Sequence, residues 1–224
     1  MLNEYSFSDI YIRHAVDDCP DDADFTMHIH EQCEIYFFVS GDVEYLVEGS
    51  KYSLDDNYLM IMRPAEAHKP RITGNRKYER YAINFPLSFV QHIDPEGRLT
   101  RAFTERSLGK MNMFGPAEID MALVKKLFSQ MCCDNDDYTR QLTINTHLLM
   151  LLDMIFRAYR SESVDHQPQT TAERILIHVN AHLFEDISIP LLAEHFYLST
   201  SQFSRIFRQA TGAAPWEYIT KKRL

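Results

Sequence analysis

The 224 residues predict a multidomain β + α chain: an antiparallel β-sandwich or small barrel, then an antiparallel helix pair, then a small helical domain. Three observations lead there. Six of the seven glycines lie at or before Gly115 and only Gly212 follows, so a turn-rich part gives way to a turn-poor one. Before that change, EIYFFVSG, VEYLVEG, YLMIMRP and RYAINF are short runs of β-formers set between the turn signals SGD, EGSK and TGNRK. After it, from Glu118, the apolar residues recur at helical spacing.

The helical part reads in order. Ile119, Leu123, Leu127 and Met131 recur every four residues; Leu142, Leu148, Leu149, Leu152, Ile155 and Phe156 follow at helical intervals over 140–160. The polar turn DNDDY separates the two, which makes them an antiparallel pair. Their apolar stripe serves equally for packing on the β part or for a dimer interface. SESVDHQPQTT (161–171) is polar and contains proline, as a linker does, and Thr170 with Glu173 has the spacing of a capping box that starts the next helix.

Composition bounds the function classes. Hydrophobic content of 45% and charged content of 25% are ordinary for a soluble globular protein. No apolar run approaches the ~20 residues that span a bilayer, and MLNEYSFSD lacks the features of a signal peptide, so a cytoplasmic protein without a membrane partner is expected. Cys19, Cys33, Cys132 and Cys133 form no C-x-x-C pair and read as reduced thiols. The net charge of −9 belongs to the first 171 residues; 172–224 carry six Lys and Arg against five Asp and Glu. The acidity therefore does not exclude nucleic acid from the C-terminal part.

That part holds the most specific stretch, ISIPLLAEHFYLSTSQFSRIFRQATG (187–212). Ser188 caps a helix that tolerates Pro190 in its first turn, and Leu192 and Ala193 form its apolar face. YLS makes a tight turn. Ser199 and Gln202 form a capping box for a second helix, whose Phe203, Ile206 and Phe207 face inward and whose end is Gly212. Two short helices joined this way are a helix-turn-helix, whose second helix can enter the DNA major groove. Its outward residues are Thr200, Ser201, Ser204, Arg205 and Arg208. Arg205 can grip a guanine edge through two nitrogens, and Arg208 is placed for phosphate.

LLAEHFYLSTSQFSRIFRQATGAAPWEYITKKRL resembles the first helix-turn-helix of AraC-type transcription regulators in its Leu-Ala pair, Leu-Ser turn, Phe-x-x-x-Phe core, Arg-x-Phe-Arg run and Thr-Gly. The resemblance implies that Ser201, Ser204 and Arg205 face bases and that Trp216 packs in the helical core. The family carries two such motifs joined by a linker helix; this sequence reaches KKRL, within that linker, so only the first motif is represented.

Upstream, HIHEQCEIYFFVSG (28–41) poses the question of a metal. If 28–34 lie largely on one strand, His28, His30, Glu34, Tyr36 and Phe38 share a face. The His-x-His-x-x-x-Glu spacing and closing glycine resemble the first cupin motif; MRPAEAH, ending at His68, resembles the second, with Asn84 further on. His28, His30, Glu34 and His68 would then form a three-histidine, one-carboxylate set suited to a transition metal. The close approach of His68 to Pro64 instead resembles the sensory cupin domains of AraC-type regulators, which imply a small molecule, often a sugar, held without metal. His28, His30, Glu34, Tyr36, Arg63 and His68 supply the hydrogen bonds and aromatic face that a sugar needs.

The expected organisation is a cupin or jelly-roll sensing domain over 1–115, a helix pair over 116–160 that is the candidate dimerisation element, the linker 161–171, and a helix-turn-helix domain over 172–224. The expected function is a non-enzymatic, ligand-responsive regulator that binds double-stranded DNA and a small-molecule effector of the sugar type, as a homodimer and with no obligatory cofactor. Tyr5 and Phe7 are candidates to cover the barrel mouth. Two alternatives remain open: a metal-dependent cupin enzyme of oxygenase or isomerase type, and a form acting only as a dimerising partner.

Overall fold

The computed structural model describes residues 1–133, 136–160 and 171–223. Nine strands form two antiparallel sheets among these residues. The larger runs β1 (Leu2–Phe7), β2 (Ile10–Asp17), β8 (Tyr78–Phe85), β3 (Cys33–Ser40), β6 (Tyr58–Met62), β9 (Met113–Phe114) in spatial order. The smaller is β5 (Ser50–Ser53), β4 (Val43–Val47), β7 (His68–Ile72). The N-terminal part is thus the expected antiparallel β architecture, with helices following.

The central strand β3 is buried along seven of its eight residues. Its continuous apolar run has a simple cause: both faces are covered. Cys33, Ile35, Phe37 and Val39 join the core under the helices, while Tyr36 and Phe38 line the barrel interior. The helices on the outer face are α2 (Met121–Met131) and α3 (Asp137–Arg160), after the single turn α1 (Arg101–Thr104). Asp120 caps α2 by accepting from the Ala122 and Leu123 amides at 3.1 Å. Val124, Leu127, Phe128 and Met131 then pack with Ile144, Leu148, Leu151, Leu152 and Ile155 on the sheet, and Phe128 stacks on Phe37 at 6.0 Å.

Two expectations fail here. Leu142 is not part of the buried stripe; it is 52% exposed, because α3 turns it outward beside Tyr138 and Met150. Tyr5 and Phe7 do not cover the barrel mouth. Strand β1 pairs in full register with β2, and both rings pack against the core under the helices, with the Arg140 guanidinium 4.1 Å over Tyr5. Of the expected linker only Thr171 is described, and the capping box of Thr170 and Glu173 lies outside the described residues.

The C-terminal unit comprises α4 (Thr171–Ala181), α5 (Ile189–His195), α6 (Thr200–Thr211) and α7 (Pro215–Arg223). Its punctuation follows the sequence. Ser188 caps α5, the Ser199–Gln202 capping box opens α6, and Gly212 closes α6 at φ 76°. Phe203 and Phe207 are buried. Trp216 overturns its expectation: it is 55% exposed, with Arg223 over its ring. Pro215, Tyr218 and Ile219 form the buried face of α7, and residue 216 falls off that face by one helical step.

This unit sits directly on the barrel. Met27 and Ala67 belong to its core, beside Leu176, Val179 and Phe207. The turn between β4 and β5 places Glu48 in the seam, where its carboxylate accepts from the Ala67 amide at 2.7 Å, Asn180 at 3.2 Å, the Tyr218 hydroxyl and the Lys222 ammonium. Lys222 also donates to the Ala65 carbonyl. Gly49, at φ 80°, is pressed so closely against Leu176 that a Cβ there would collide with its side chain. Both charged side chains are buried, so removing one strands the other. Lys222→Met is expected to cost about 3–5 kcal/mol in urea denaturation, with much of that recovered by adding Glu48→Gln.

Candidate functional site

The two sheets enclose a cavity of about 500 Å³ that opens to solvent, a size suited to a small molecule. Strand register builds it. Arg13 of β2, Ala82 of β8, Tyr36 of β3 and Met60 of β6 lie in one cross-strand row on the inner face. Tyr45 and Pro70, paired across β4 and β7, face it from the smaller sheet; Tyr78, Arg80, Phe25 and His28 complete the wall. Tyr36 and Tyr78 hydrogen-bond through their hydroxyls. Burial pushes the Tyr36 and Tyr45 hydroxyls well above their ordinary pKa, so both remain neutral donors. Arg80 is held by Asp17 and lies over the rings of Tyr78 and Phe25 at 4.1 and 5.2 Å.

His28, on the wall, leads to the tetrad anticipated from sequence. One ligand atom from each of His28, His30, Glu34 and His68 lies within 4.8 Å of the others. The expected single strand over 28–34 is not what assembles them, however. Strand β3 begins only at Cys33; His28 is held by a lone antiparallel bridge to His68, and 29–32 are irregular. The bridge, absent from any alternation rule, brings the second histidine motif to the first.

The hydrogen bonds of these rings fix their tautomers. Nδ1 of His28 faces the Thr26 carbonyl at 3.2 Å, that of His30 faces Gln32 at 2.8 Å, and that of His68 faces Glu66 at 2.7 Å. A carbonyl only accepts, so each Nδ1 carries the hydrogen; the Nε2 of a neutral ring then presents a lone pair, while that of His30, whose pKa Glu34 raises against the effect of burial, donates to the carboxylate when protonated. His30 Nε2 stands 2.9 Å from Glu34 Oε2, which Asn84 also reaches at 3.1 Å. His68 Nε2, fully buried, is 3.4 Å from the same oxygen but makes no hydrogen bond of acceptable geometry. Burial lowers the His28 pKa to about 4, with the His68 ring adding to the effect. Burial would raise the Glu34 carboxyl, but the hydrogen bond with His30 and the nearby His68 ring carry it well below the usual range. A carboxylate facing three imidazoles anchored by backbone carbonyls fits a divalent transition metal, and the buried Nε2 of His68 is the atom such an ion would satisfy.

Arg63 is elsewhere. Its guanidinium donates to the Arg106 carbonyl at 3.0 Å and lines a separate cavity with Lys110, Ile177 and Asn180, because the chain turns away after β6 at Ala65, φ 58°. Sequence reasoning put Arg63 with the histidines and missed Arg13, Tyr45, Tyr78 and Arg80. The period-two alternation of YIRHAVD could have placed Arg13 on the inner face once β2 was recognised.

On the C-terminal unit, Thr200, Ser201, Arg205 and Arg208 are exposed and Ser204 is half-buried. Ser201, Ser204, Arg205 and Arg208 line one open depression with Gln209. The face of α6 that docks on the barrel is the opposite one. Four of the five residues singled out for DNA are therefore presented together, away from the seam, and Thr200 is exposed at the start of the same helix.

Comparison with known proteins gives a consistent picture. Residues 14–152 match the family model described as the AraC-like ligand binding domain. An uncharacterised HTH-type transcriptional regulator, YfiF, of Bacillus subtilis is 22% identical over 204 residues, covering 88% of this chain and 64% of that protein. The HTH-type transcriptional activator RhaS of Escherichia coli is 22% identical, covering 90% of this chain and 72% of RhaS. The melibiose operon regulatory protein of Escherichia coli is 23% identical, covering 89% and 68%. This chain thus spans about two thirds of the length of these relatives. Among solved structures, the AraC-like transcriptional activator CuxR aligns over 99% of this chain and 78% of that one, with 13% identity and a TM-score of 0.48.

The tetrad makes a direct prediction. Untagged protein is expected to carry about one transition metal per chain by mass spectrometry, with its melting temperature lowered by chelator. His68→Ala should empty the site and abolish the chelator effect. Metal-free protein that melts unchanged in chelator would instead assign the Nε2 lone pairs to the hydroxyls of a ligand.

Proposed function

The chain belongs to the AraC-like ligand-binding-domain family, and from that premise we propose that it is a ligand-responsive transcription regulator. A small molecule, of the sugar type, enters the barrel cavity, and the helix-turn-helix unit binds double-stranded DNA in the cytoplasm. The single observation that carries this reading is the shared seam. Met27 and Ala67, each the sequence neighbour of a site histidine, are core residues of the C-terminal unit. A ligand that moves His28 or His68 must move them too.

Regulation then needs no new chemistry. A ligand that fits one seating of the C-terminal unit better than another shifts the population between them, and a few kcal/mol of preference suffice. His28, Tyr36 and the tetrad supply recognition, α6 supplies DNA contact through Thr200, Ser201, Ser204, Arg205 and Arg208. Homodimerisation would use the outer face of α3, where Tyr138, Leu142 and Met150 are exposed. The relatives are transcription regulators, which favours a sensor over an oxygenase or isomerase. A second reading, capture of the effector by a metal held on the tetrad, is favoured by the tautomers. His28, His30, Glu34 and His68 would hold the ion, which would polarise an effector oxygen.

Mobility-shift titration of the full chain on promoter DNA, with and without sugars, tests the proposal. An effector should change the affinity, and Arg205→Ala should cost about 1–3 kcal/mol on the preferred sequence. DNA binding that no member of a broad sugar panel alters would remove the sensing role. Leu142→Glu with Met150→Glu is expected to turn a concentration-dependent dimer into a monomer in sedimentation; unchanged self-association would move the interface off α3.

A further inference from the structure

We infer that the C-terminal unit carries a transition-metal site of its own, formed by His178, His182 and His195, which clamps α4 to α5. The site stands apart from the barrel and does not depend on what the cavity holds. Its ground is a row of three imidazoles. The His178 ring lies 4.2 Å from that of His182 and 4.1 Å from that of His195, centroid to centroid. His178 and His182 are four residues apart in HVNAH, so α4 presents both on one face. Two histidines at that spacing on a helix are a chelating pair for zinc. The third comes from the last residue of α5.

The ring nitrogens are available for it. Among the described residues only Nδ1 of His182 has a hydrogen-bond partner, donating to the His178 carbonyl at 2.7 Å. A neutral ring anchored at Nδ1 presents the lone pair of its Nε2. His178 and His182 are half-buried and His195 is exposed, so an ion reaches them from solvent. Glu185 supplies a nearby carboxylate: its charge acts on His178, and its amide donates back to the His182 carbonyl at 3.0 Å. The ligand atoms of the barrel tetrad already converge, whereas these rings stack. Zinc bound tetrahedrally by imidazoles at ~2.0–2.1 Å needs nitrogens about 3.3 Å apart. Rings already in contact reach that spacing by rotation of the side chains, and the exposed His195 has the most room to turn. Phe196, edge-on to His178 at 5.5 Å and to His195 at 4.8 Å, backs the row with an apolar ring. Imidazole ligands suit zinc, copper and nickel.

The position of the row gives the ion a consequence. On its other faces α4 holds the seam, through Leu176 and Val179 in the shared core and Asn180 on Glu48. Helix α5 is the first of the helix-turn-helix, and the turn after His195 leads directly to α6. An ion shared by α4 and α5 therefore ties the helix docked on the barrel to the element that positions the DNA-facing helix.

The test uses the full, untagged chain with His68→Ala, which removes the barrel tetrad, after treatment with chelator and dialysis. Calorimetric titration with Zn²⁺, repeated with Co²⁺, should show one site per chain in the micromolar range. Being open to solvent, that site empties on dialysis, unlike the tetrad. His178→Ala and His195→Ala, each added to His68→Ala, should weaken it at least as much as loss of a ligand's supporting contact does, about 10–100-fold. His92→Ala, at an exposed histidine outside the row, should leave it unchanged. Zn²⁺ should also raise the melting temperature of the His68→Ala chain and not that of the chain with His195→Ala added. Melting curves without metal identify a variant that fails to fold. Should His178→Ala be one, the exposed His195 carries the comparison; should His68→Ala be one, the unmutated chain is counted against His195→Ala and must lose one site. The absence of any such site, or a site that keeps its affinity in His195→Ala, would overturn the inference and leave the sensor reading intact.

Discussion

The four residues Ala65, Glu66, Ala67 and His68 are where the structure is tied together. The Ala65 carbonyl receives Lys222 from the last helix. Glu66, completely buried, is bound by Arg106, by the Gly109 and Arg63 amides and by Asn112, and so fixes the loop over one end of the barrel. The Ala67 amide donates to Glu48 while its methyl group lies in the core of the C-terminal unit. The Glu66 carbonyl sets the tautomer of His68. The site histidine, the loop and the helix-turn-helix unit therefore share one short piece of backbone. A displacement of His68 cannot be absorbed locally, because its three predecessors are each pinned to a different part of the molecule.

The large sheet explains why such a piece can exist. Strand β3 is covered on one side by α2 and α3 and faces the cavity on the other. The helix side is filled with Phe37, Phe128 and Ile155, and interiors packed to this density transmit displacement rather than yield to it. The other side borders the cavity through Arg13, Tyr36, Tyr78 and Arg80. The barrel is thus rigid behind and open in front, so any response to a ligand is directed toward the smaller sheet and the seam with the C-terminal unit.

Much of this was legible in the sequence, for identifiable reasons. Helix punctuation in the C-terminal unit was read correctly, because capping by Ser188, the Ser199–Gln202 pair and Gly212 are local effects that need no knowledge of the fold. The tetrad was legible as spacing, although the irregular backbone at 29–32 shows that the reason was a bridge between distant segments rather than one strand. What failed was long-range. Trp216 looked like a core residue, but whether a residue near a helix start faces inward depends on which side the neighbours occupy, and Tyr218 and Ile219 took that side. Arg63 looked like a pocket residue because it stands close to His68 in sequence, yet the turn at Ala65 sends it to the other side. Glu48 read as an ordinary turn residue, since nothing local reveals that a helix from 170 residues away will close over it.

The chemistry of that closure bears on how it could serve a switch. Glu48 is satisfied by four donors, and three of them, from Asn180, Tyr218 and Lys222, belong to the C-terminal unit. Losing any one partner leaves buried charge or a buried polar atom, so partly opened seams are strongly disfavoured. When the whole seam opens, water solvates Glu48 and Lys222, and the gain of rehydration offsets much of the lost attraction. Such a contact is specific without being strong. It penalises intermediate positions far more than it separates the closed and open ends, which is the energy profile of a two-state element. To move a two-state element from 1:99 to 99:1 requires roughly 5.5 kcal/mol of differential ligand affinity. A seam sealed only by apolar contacts would lose its hold gradually as area was exposed, and would give the ligand no sharp boundary to act on.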